Sequence, residues 1–188
     1  MTKNIMIVGV GGQGTLLASR ILGNVAIKLG YDVKVSEVHG MSQRGGSVVT
    51  YVKYGDKVYS PIIDKGEADI VLAFELLEAY RTLPYLKEKG TIIVNNQRID
   101  PMPVIIGAAT YPEDIVNKLE NKANVICFDA LELAQRIGNV KVANVCLIGR
   151  MARTMDIPYE TWIEVIKETV PQKFMDLNIK AFDMAYNL

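Results

Sequence analysis

The chain opens with a short apolar run that is followed by a longer segment with apolar residues at helical spacing. Residues 5–10 carry only apolar side chains and glycine, which is typical of a strand buried on both faces. Residues 12–29 place apolar side chains three and four positions apart, so they predict a helix with one face on a sheet. We therefore expect the fold to begin as a strand, a glycine turn and a helix.

Similar patterns predict the remaining elements. Strands are expected at residues 32–38, 48–54, 68–74, 91–94 and 124–128, and a short apolar run at 104–108 is counted with them. Gly55 and Asp56 predict a hairpin turn from 48–54 into a further strand at 57–60. Helices are expected at residues 75–86, 111–121, 130–137, 142–155, 158–170 and 172–188.

This order of elements predicts a three-layer α/β/α protein. The hairpin interrupts a pure alternation of strands and helices, so we expect a mixed, mostly parallel sheet with a Rossmann-like start and a helical C-terminus. Residues 1–188 are expected to form a single domain, because no repeat or flexible linker divides the sequence. A boundary near Asn139 is the less favoured alternative.

Composition narrows the classes of function. The 21 basic and 21 acidic residues cancel, so nothing indicates a nucleic-acid or membrane surface. The sequence has neither an apolar run long enough to span a membrane nor a signal-peptide pattern at its N-terminus. Cys127 and Cys146 are far apart, which favours reduced thiols, a cytoplasmic location and no iron–sulfur or zinc site of the usual spacing.

The turn after the first strand has the spacing G-x-G-x-x-G, which suits either an anion at the helix start or close helix–sheet packing. A dinucleotide site also needs an acid at the end of the second strand, and Glu37 occupies that position. We favour packing and interface use, because the predicted hairpin interrupts the dinucleotide-binding pattern. The glutamine of the turn is expected to contact a substrate, a cosubstrate or a partner, or else to cap the helix. The candidate cofactor-binding residues here are Gly9, Gly11, Gly12, Gln13 and Gly14.

Residues 39–47 form a polar, glycine-rich loop that is long enough to suggest a function. Arg44, beside Gly45 and Gly46, is suited to clamp a phosphate or carboxylate, and His39 to orient a carbonyl or carry a proton. The alternative is that both side chains pair with a partner protein. Further candidates for substrate or interface contact are Glu37, Ser42, Gln43, Ser47 and Glu75, although turn hydrogen bonds and helix-start roles compete for the two serines and for Glu75.

Three stretches resemble one family. Residues 9–14 (GVGGQG), 37–48 (EVHGMSQRGGSV) and 68–75 (ADIVLAFE), together with Ala79, resemble the gamma-type subunit of the 2-oxoacid:ferredoxin oxidoreductases. The second stretch is most similar to the indolepyruvate branch, in which the equivalent chain is the beta subunit. The resemblance extends in order through Asn144, Asn178 and most of the chain.

The resemblance implies a function that is divided between subunits. The family oxidises a 2-oxo acid with coenzyme A to an acyl-CoA and carbon dioxide, using thiamine diphosphate and iron–sulfur clusters, and passes electrons to ferredoxin. This chain lacks clustered cysteines and a recognisable motif for thiamine diphosphate and magnesium. We therefore expect those cofactors, including [4Fe-4S] clusters, on a larger partner subunit. The alternatives are a stand-alone NAD- or FAD-binding domain, a gamma subunit for pyruvate or another 2-oxo acid, and a purely structural assembly subunit.

Overall fold

A mixed β-sheet is the central layer of the computed structural model, which describes residues 2–40 and 45–188. Within these residues the sheet has six strands, in the spatial order β2-β3-β1-β4-β5-β6. The strands are β1 (Lys3–Val10), β2 (Asp32–His39), β3 (Ser47–Gly55), β4 (Ala68–Ala73), β5 (Leu86–Asn95) and β6 (Asn124–Phe128).

Only β3 runs against the other strands. It pairs antiparallel with β1 on one side and with β2 on the other, whereas β1, β4, β5 and β6 form parallel pairs. In the register of the sheet, Ile5 on β1 lies opposite Val52 on β3 and Ile70 on β4. The predicted mixed, mostly parallel sheet is therefore confirmed.

Helices cover both faces of the sheet. They are α1 (Thr15–Lys28), α2 (Leu76–Thr82), α3 (Met102–Ile105), α4 (Ile115–Glu120), α5 (Ala130–Ile137), α6 (Ala143–Ala152), α7 (Tyr159–Thr169) and α8 (Met175–Tyr186), with 3-10 turns at Leu83–Tyr85, Val140–Val142 and Gln172–Phe174. None of the helices in the described ranges has both the length and the apolar character that a membrane crossing requires.

Strand β1 explains why there are three layers. Ile5 and Ile7 point into a core shared with α1 and α5–α8, whereas Met6 and Val8 point into a second core shared with α2 and α4. Successive side chains on a strand face opposite sides, so a continuous apolar run requires cover on both. The predicted three-layer class and its helical C-terminus are confirmed.

The predicted hairpin at Gly55 and Asp56 is wrong, because residues 57–60 form no strand. Both edges of β3 are already paired, with β1 and with β2, so no ladder is open to a further strand. Side chains hold the segment instead: Asp32 accepts a hydrogen bond from the Val58 amide at 2.9 Å, and Lys53 donates to the Ile62 carbonyl at 2.8 Å. The antiparallel hairpin is β2–β3. His39 ends β2 and Ser47 begins β3, so the first and last residues of the predicted 39–47 loop belong to strands.

The apolar run at 104–108 is also not a strand. It overlaps α3, a short helix with Pro103 in its first turn, and it continues into a bend at Gly107 with φ +75°. Proline is favoured in the first turn of a helix because its missing N–H is not needed there, and glycine readily adopts positive φ. Ile105 and Ile106 are exposed.

Candidate functional site

The carboxyl ends of β1 and β4 lie side by side at the point where the chain changes direction across the sheet. From β1 the chain passes through α1 to β2 at one side of the sheet, and from β4 it passes through α2 to β5 at the other. The two helices lie on opposite faces. Open α/β sheets place their ligands at such a switch point, because the connections diverge and leave a crevice. The glycine turn of residues 11–14 occupies this position.

The structure brings the glycine turn and the end of the 39–47 loop together. The Gly11 amide donates to the Gly46 carbonyl at 2.8 Å, and the Gly45 amide donates to the Gly11 carbonyl at 3.3 Å. These bonds continue the β1–β3 ladder beyond Val10 and Ser47, the last pair in its register. Two segments that the sequence indicated separately are therefore one structural unit.

Close contacts explain two of the glycines. A Cβ atom on Gly9 would lie 2.9 Å from the Phe74 Cβ, and one on Gly14 would lie 2.6 Å from the Asn144 Nδ2. Gly14 also has a φ of +86°, which glycine adopts at little cost. Close packing alone therefore requires glycine at these two positions.

Gln13 joins the ends of the central strands. Its side-chain oxygen accepts from the Val10 amide at 2.7 Å, and its side-chain nitrogen donates to the Phe74 carbonyl and to Gln97 Oε1, both at 3.1 Å. The N-cap residue of α1 is Gly14, and among the described residues no side chain caps that helix. The helix-capping alternative for Gln13 is therefore wrong, and its amide is engaged within the chain.

A first cleft, of about 430 Å³, lies between the glycine turn and the ends of β2 and β3. Glu37 and His39 are two residues apart on β2, so their side chains share one face and both line this cleft. Both residues are exposed, and the His39 Nδ1 lies 3.3 Å from the Gly40 carbonyl oxygen. The cleft combines the start of α1, whose amides favour anions, with an acid and an imidazole. Its lining residues are Gly11, Gly12, Gly14, Thr15, Leu16, Glu37, His39 and Val48.

Three of the predicted site residues, Ser42, Gln43 and Arg44, lie outside the described residues. Their predicted roles stay predictions.

A second cleft, of about 510 Å³, lies on the other side of the glycine turn, between it and α5–α6. Its buried Asn95 donates to the Phe74 carbonyl at 3.2 Å and to Gln97 Oε1 at 3.0 Å, and accepts from the Ala130 amide at 2.9 Å. Asn144 reaches the Gly14 carbonyl at 3.4 Å. The sequence analysis did not select Asn95 or Gln97. A polar residue at the carboxyl end of a buried strand was the available signal.

Glu75 faces the interior and lines neither cleft. It begins α2 and accepts from the Glu78 amide at 2.9 Å, the Ile99 amide at 3.1 Å and the Tyr111 hydroxyl at 2.5 Å. Burial, and then the hydrogen bond to Glu75, raise the pKa of Tyr111. These contacts support the helix-start role that competed with substrate contact for Glu75.

The sequence analysis missed Glu78, which is only 3% exposed. Its carboxylate accepts from the Ser47 hydroxyl at 2.5 Å and from Arg81 Nη1 at 2.6 Å. An acid three residues after a helix-starting acid is common, so nothing in the pattern distinguished it. Ser47 is therefore tied to α2 through its side chain.

The described residues do not suit an iron–sulfur or other metal centre. No group of three or more His, Cys, Asp or Glu side chains in these ranges is placed to hold an ion. Cys127 lies on β6 and Cys146 on α6. Burial raises the pKa of both thiols, that of Cys146 to about 12, which disfavours the thiolate that a metal needs.

Comparison with known proteins places the chain in a family. The family model for pyruvate ferredoxin/flavodoxin oxidoreductase matches residues 4–188. The chain belongs to this family.

Individual relatives agree with that assignment. The chain is 48% identical to the indolepyruvate oxidoreductase subunit IorB of Pyrococcus horikoshii, over 96% of this chain and 93% of the relative. It is 28% identical to the common gamma subunit of the pyruvate/ketoisovalerate oxidoreductases of Thermococcus kodakarensis, over 95% and 92% of the two chains. Among solved structures, the keto/oxoacid ferredoxin oxidoreductase gamma subunit of Geobacter sulfurreducens has a TM-score of 0.73 at 25% identity, over 98% of this chain and 96% of that one.

Proposed function

We propose that this chain is the small, gamma-type subunit of an indolepyruvate or other arylpyruvate:ferredoxin oxidoreductase. The observation that carries the proposal is the 48% identity to an indolepyruvate oxidoreductase subunit over nearly the whole length of both chains. The lower identity of 28% to a pyruvate/ketoisovalerate subunit favours the aromatic substrate over those alternatives. The enzyme would oxidise the 2-oxo acid with coenzyme A to an acyl-CoA and carbon dioxide, and pass electrons to ferredoxin.

The proposal divides the work between two chains. Thiamine diphosphate, magnesium and [4Fe-4S] clusters reside on a larger partner subunit, where they supply carbanion stabilisation and single-electron transfer. This chain contributes a polar surface at the carboxyl end of its sheet and has no activity on its own. We also propose that residues 1–188 act as one domain in the cytoplasm.

We propose that the first cleft faces coenzyme A or the partner's cofactor. The unpaired amides at the start of α1 are suited to a phosphate group, because the helix dipole adds positive potential there. Arg44, Gly45 and Gly46 would complete the anion site, while Glu37 and His39 on the opposite wall would orient polar groups of the ligand or of the partner. Ser42 and Gln43 would contact substrate or partner at the rim, whereas Ser47, whose hydroxyl is bonded to Glu78, would act through the position of its backbone.

The stand-alone dinucleotide alternative has weaker support. In a dinucleotide-binding fold the first two strands are neighbours, which brings the acid after the second strand close to the glycine turn. Here β3 lies between β1 and β2. Adjacent strands are about 4.8 Å apart. Glu37 therefore lies one strand spacing further from the glycine turn than the acid that binds the ribose in a dinucleotide site.

Reconstitution tests the proposal. The full chain is mixed with the partner subunit, and reduction of ferredoxin or a viologen dye is measured with indolepyruvate and coenzyme A. We expect turnover from the mixture and none from either chain alone. Calorimetry of the full chain with NAD, FAD and coenzyme A separates the alternatives: tight NAD or FAD binding, or oxidation by this chain alone, would contradict the proposal.

A further inference from the structure

The glycine turn and the end of the 39–47 loop are held from two directions. On one side the β1–β3 ladder continues through the Gly11–Gly46 and Gly45–Gly11 hydrogen bonds. On the other side the Ser47 hydroxyl, one residue beyond Gly46, donates to the Glu78 carboxylate at 2.5 Å. A backbone pair between glycines has no side chains to stabilise it, so it depends on the contacts of its neighbours. Gln13 holds Val10 on the β1 side, and Glu78 holds Ser47 on the β3 side.

The anchor is itself rigidly placed. Glu78 lies in the first turn of α2, and its amide donates to Glu75, which also binds Tyr111 and the Ile99 amide. Arg81 supplies the opposite charge for Glu78 at 2.6 Å. Hydrogen bonds between a hydroxyl and a buried carboxylate are short and strong, and losing one leaves the carboxylate under-solvated.

The start of α2 does not depend on the Glu78 carboxylate. Glu75 already accepts from the Glu78 amide at the helix start, and the Glu78 side chain points instead to β3 and Arg81. A buried carboxylate has a desolvation cost that an apolar residue would avoid. What the charge adds here is the ion pair with Arg81 and a fixed position for Ser47.

We propose that Glu78 is a positioning residue: through Ser47 it fixes the Gly45–Gly46 backbone against Gly11, which forms part of the wall of the first cleft. This inference rests on the proposed function, in which that wall faces coenzyme A or the partner's cofactor. Neither Glu78 nor Ser47 is required to touch the reacting groups.

The first experiment measures position without activity. Amide hydrogen exchange of the full chain is followed at Gly11 and Gly45, the two donors of the glycine pair. In Ser47→Ala both amides should exchange about tenfold faster, since one charge-assisted hydrogen bond is lost. Ser47→Thr keeps the hydroxyl and should exchange like the wild type. Unchanged exchange in Ser47→Ala, or equally fast exchange in Ser47→Thr, would overturn the inference.

Thr82→Val is the matched control for helix stability. The Thr82 hydroxyl is buried in α2, and within the described part of the chain it bonds only to the helix carbonyls of Glu78 and Ala79, at 2.9 and 3.0 Å. We expect this variant to lower the melting temperature while leaving exchange at Gly45 unchanged. A double variant tests the route: if Glu78 acts through Ser47, Glu78→Gln combined with Ser47→Ala should exchange no faster than the faster single variant, and additive effects would contradict that route.

The second experiment uses the reconstituted complex. Ser47→Ala should lower kcat/KM for coenzyme A about tenfold, mainly by raising KM, because a displaced wall weakens binding more than chemistry. Ser47→Thr should restore the wild-type value. If the wild-type mixture turns over and Ser47→Ala matches it, the positioning role is wrong. If the wild-type mixture itself is inactive, the proposed function is wrong instead, and the exchange data stand alone.

Discussion

The Glu75 carboxylate accepts a hydrogen bond from the buried Tyr111 hydroxyl at 2.5 Å. The contact joins the start of α2 to the chain that follows α3, 36 residues later. The Arg98 guanidinium lies over the Tyr111 ring, 4.3 Å from its centroid, so it packs on the side chain that bonds to Glu75. Glu75 therefore has a structural use at the carboxyl end of β4.

Replacing Glu75 should cost stability before it costs activity. Glu75→Ala removes a helix-start acceptor and leaves the Tyr111 hydroxyl and two amides without their partner, so we expect a loss of about 3 kcal/mol in the free energy of unfolding. Urea titration measures it. Glu113→Ala, on the exposed segment before α4, is the matched control and should be nearly neutral. A stable Glu75→Ala protein with reduced turnover would instead indicate that Glu75 contacts the substrate or the partner.

Gly14 and Gly12 should respond differently to alanine. Both have positive φ, but a Cβ on Gly14 would meet Asn144 at 2.6 Å whereas one on Gly12 would meet nothing within 4 Å. Gly12→Ala should therefore cost only the backbone term of about 1 kcal/mol, and Gly14→Ala clearly more. Thermal unfolding tests this order. Adding Asn144→Ala to Gly14→Ala should recover part of the loss, and equal costs for the two glycines would refute the close contact.

Arg44→Ala should lower turnover of the reconstituted complex at least tenfold while the melting temperature stays within a degree or two, since a cation that binds an anion contributes binding and little folding energy. Arg44→Lys should recover only part of the loss, because a lysine cannot bind bidentately. Arg136→Ala is the control, since this exposed arginine pairs with Glu132 on α5. Wild-type kinetics in Arg44→Ala would show that Arg44 does not bind the anion in the complex.

The sequence predicted those parts of the fold that local pattern determines. Ile5–Val8 had to be a strand covered on both faces, and the glycine spacing marked the turn between β1 and α1. The strand expected at 57–60 failed because its formation depended on whether β3 had a free edge, which is decided by the distant strands β1 and β2. Ser47 was selected, but its partner Glu78 is 31 residues away and follows an ordinary helix-start spacing.

The same limit applies to the candidate site. The glycine turn and the loop were each visible as motifs, yet the Gly11–Gly46 hydrogen bond that unites them arises only from the antiparallel insertion of β3. Asn95 and Gln97 line the second cleft because β5 ends beside β4, and that pairing is non-local. Contacts between distant strands are therefore the part of the candidate site that the sequence pattern does not reveal.

Tyr54 should make the protein less stable at alkaline pH. Burial, and then the nearby Tyr31, raise the pKa of Tyr54 to about 12 from the ordinary value of 10.0. An unfolded chain ionises this phenol above about pH 10 while the folded chain resists until about pH 12, so stability falls as the pH rises through that range, by about 2 kcal/mol from this residue.

Tyr54→Phe has no phenol proton to lose at this position. Its free energy of unfolding should therefore fall less than that of the wild type between about pH 9 and about pH 12. Tyr59→Phe is the control, because Tyr59 is 84% exposed and should leave the slope unchanged. Parallel slopes for Tyr54→Phe and the wild type would show that Tyr54 ionises as readily in the folded chain as in the unfolded one.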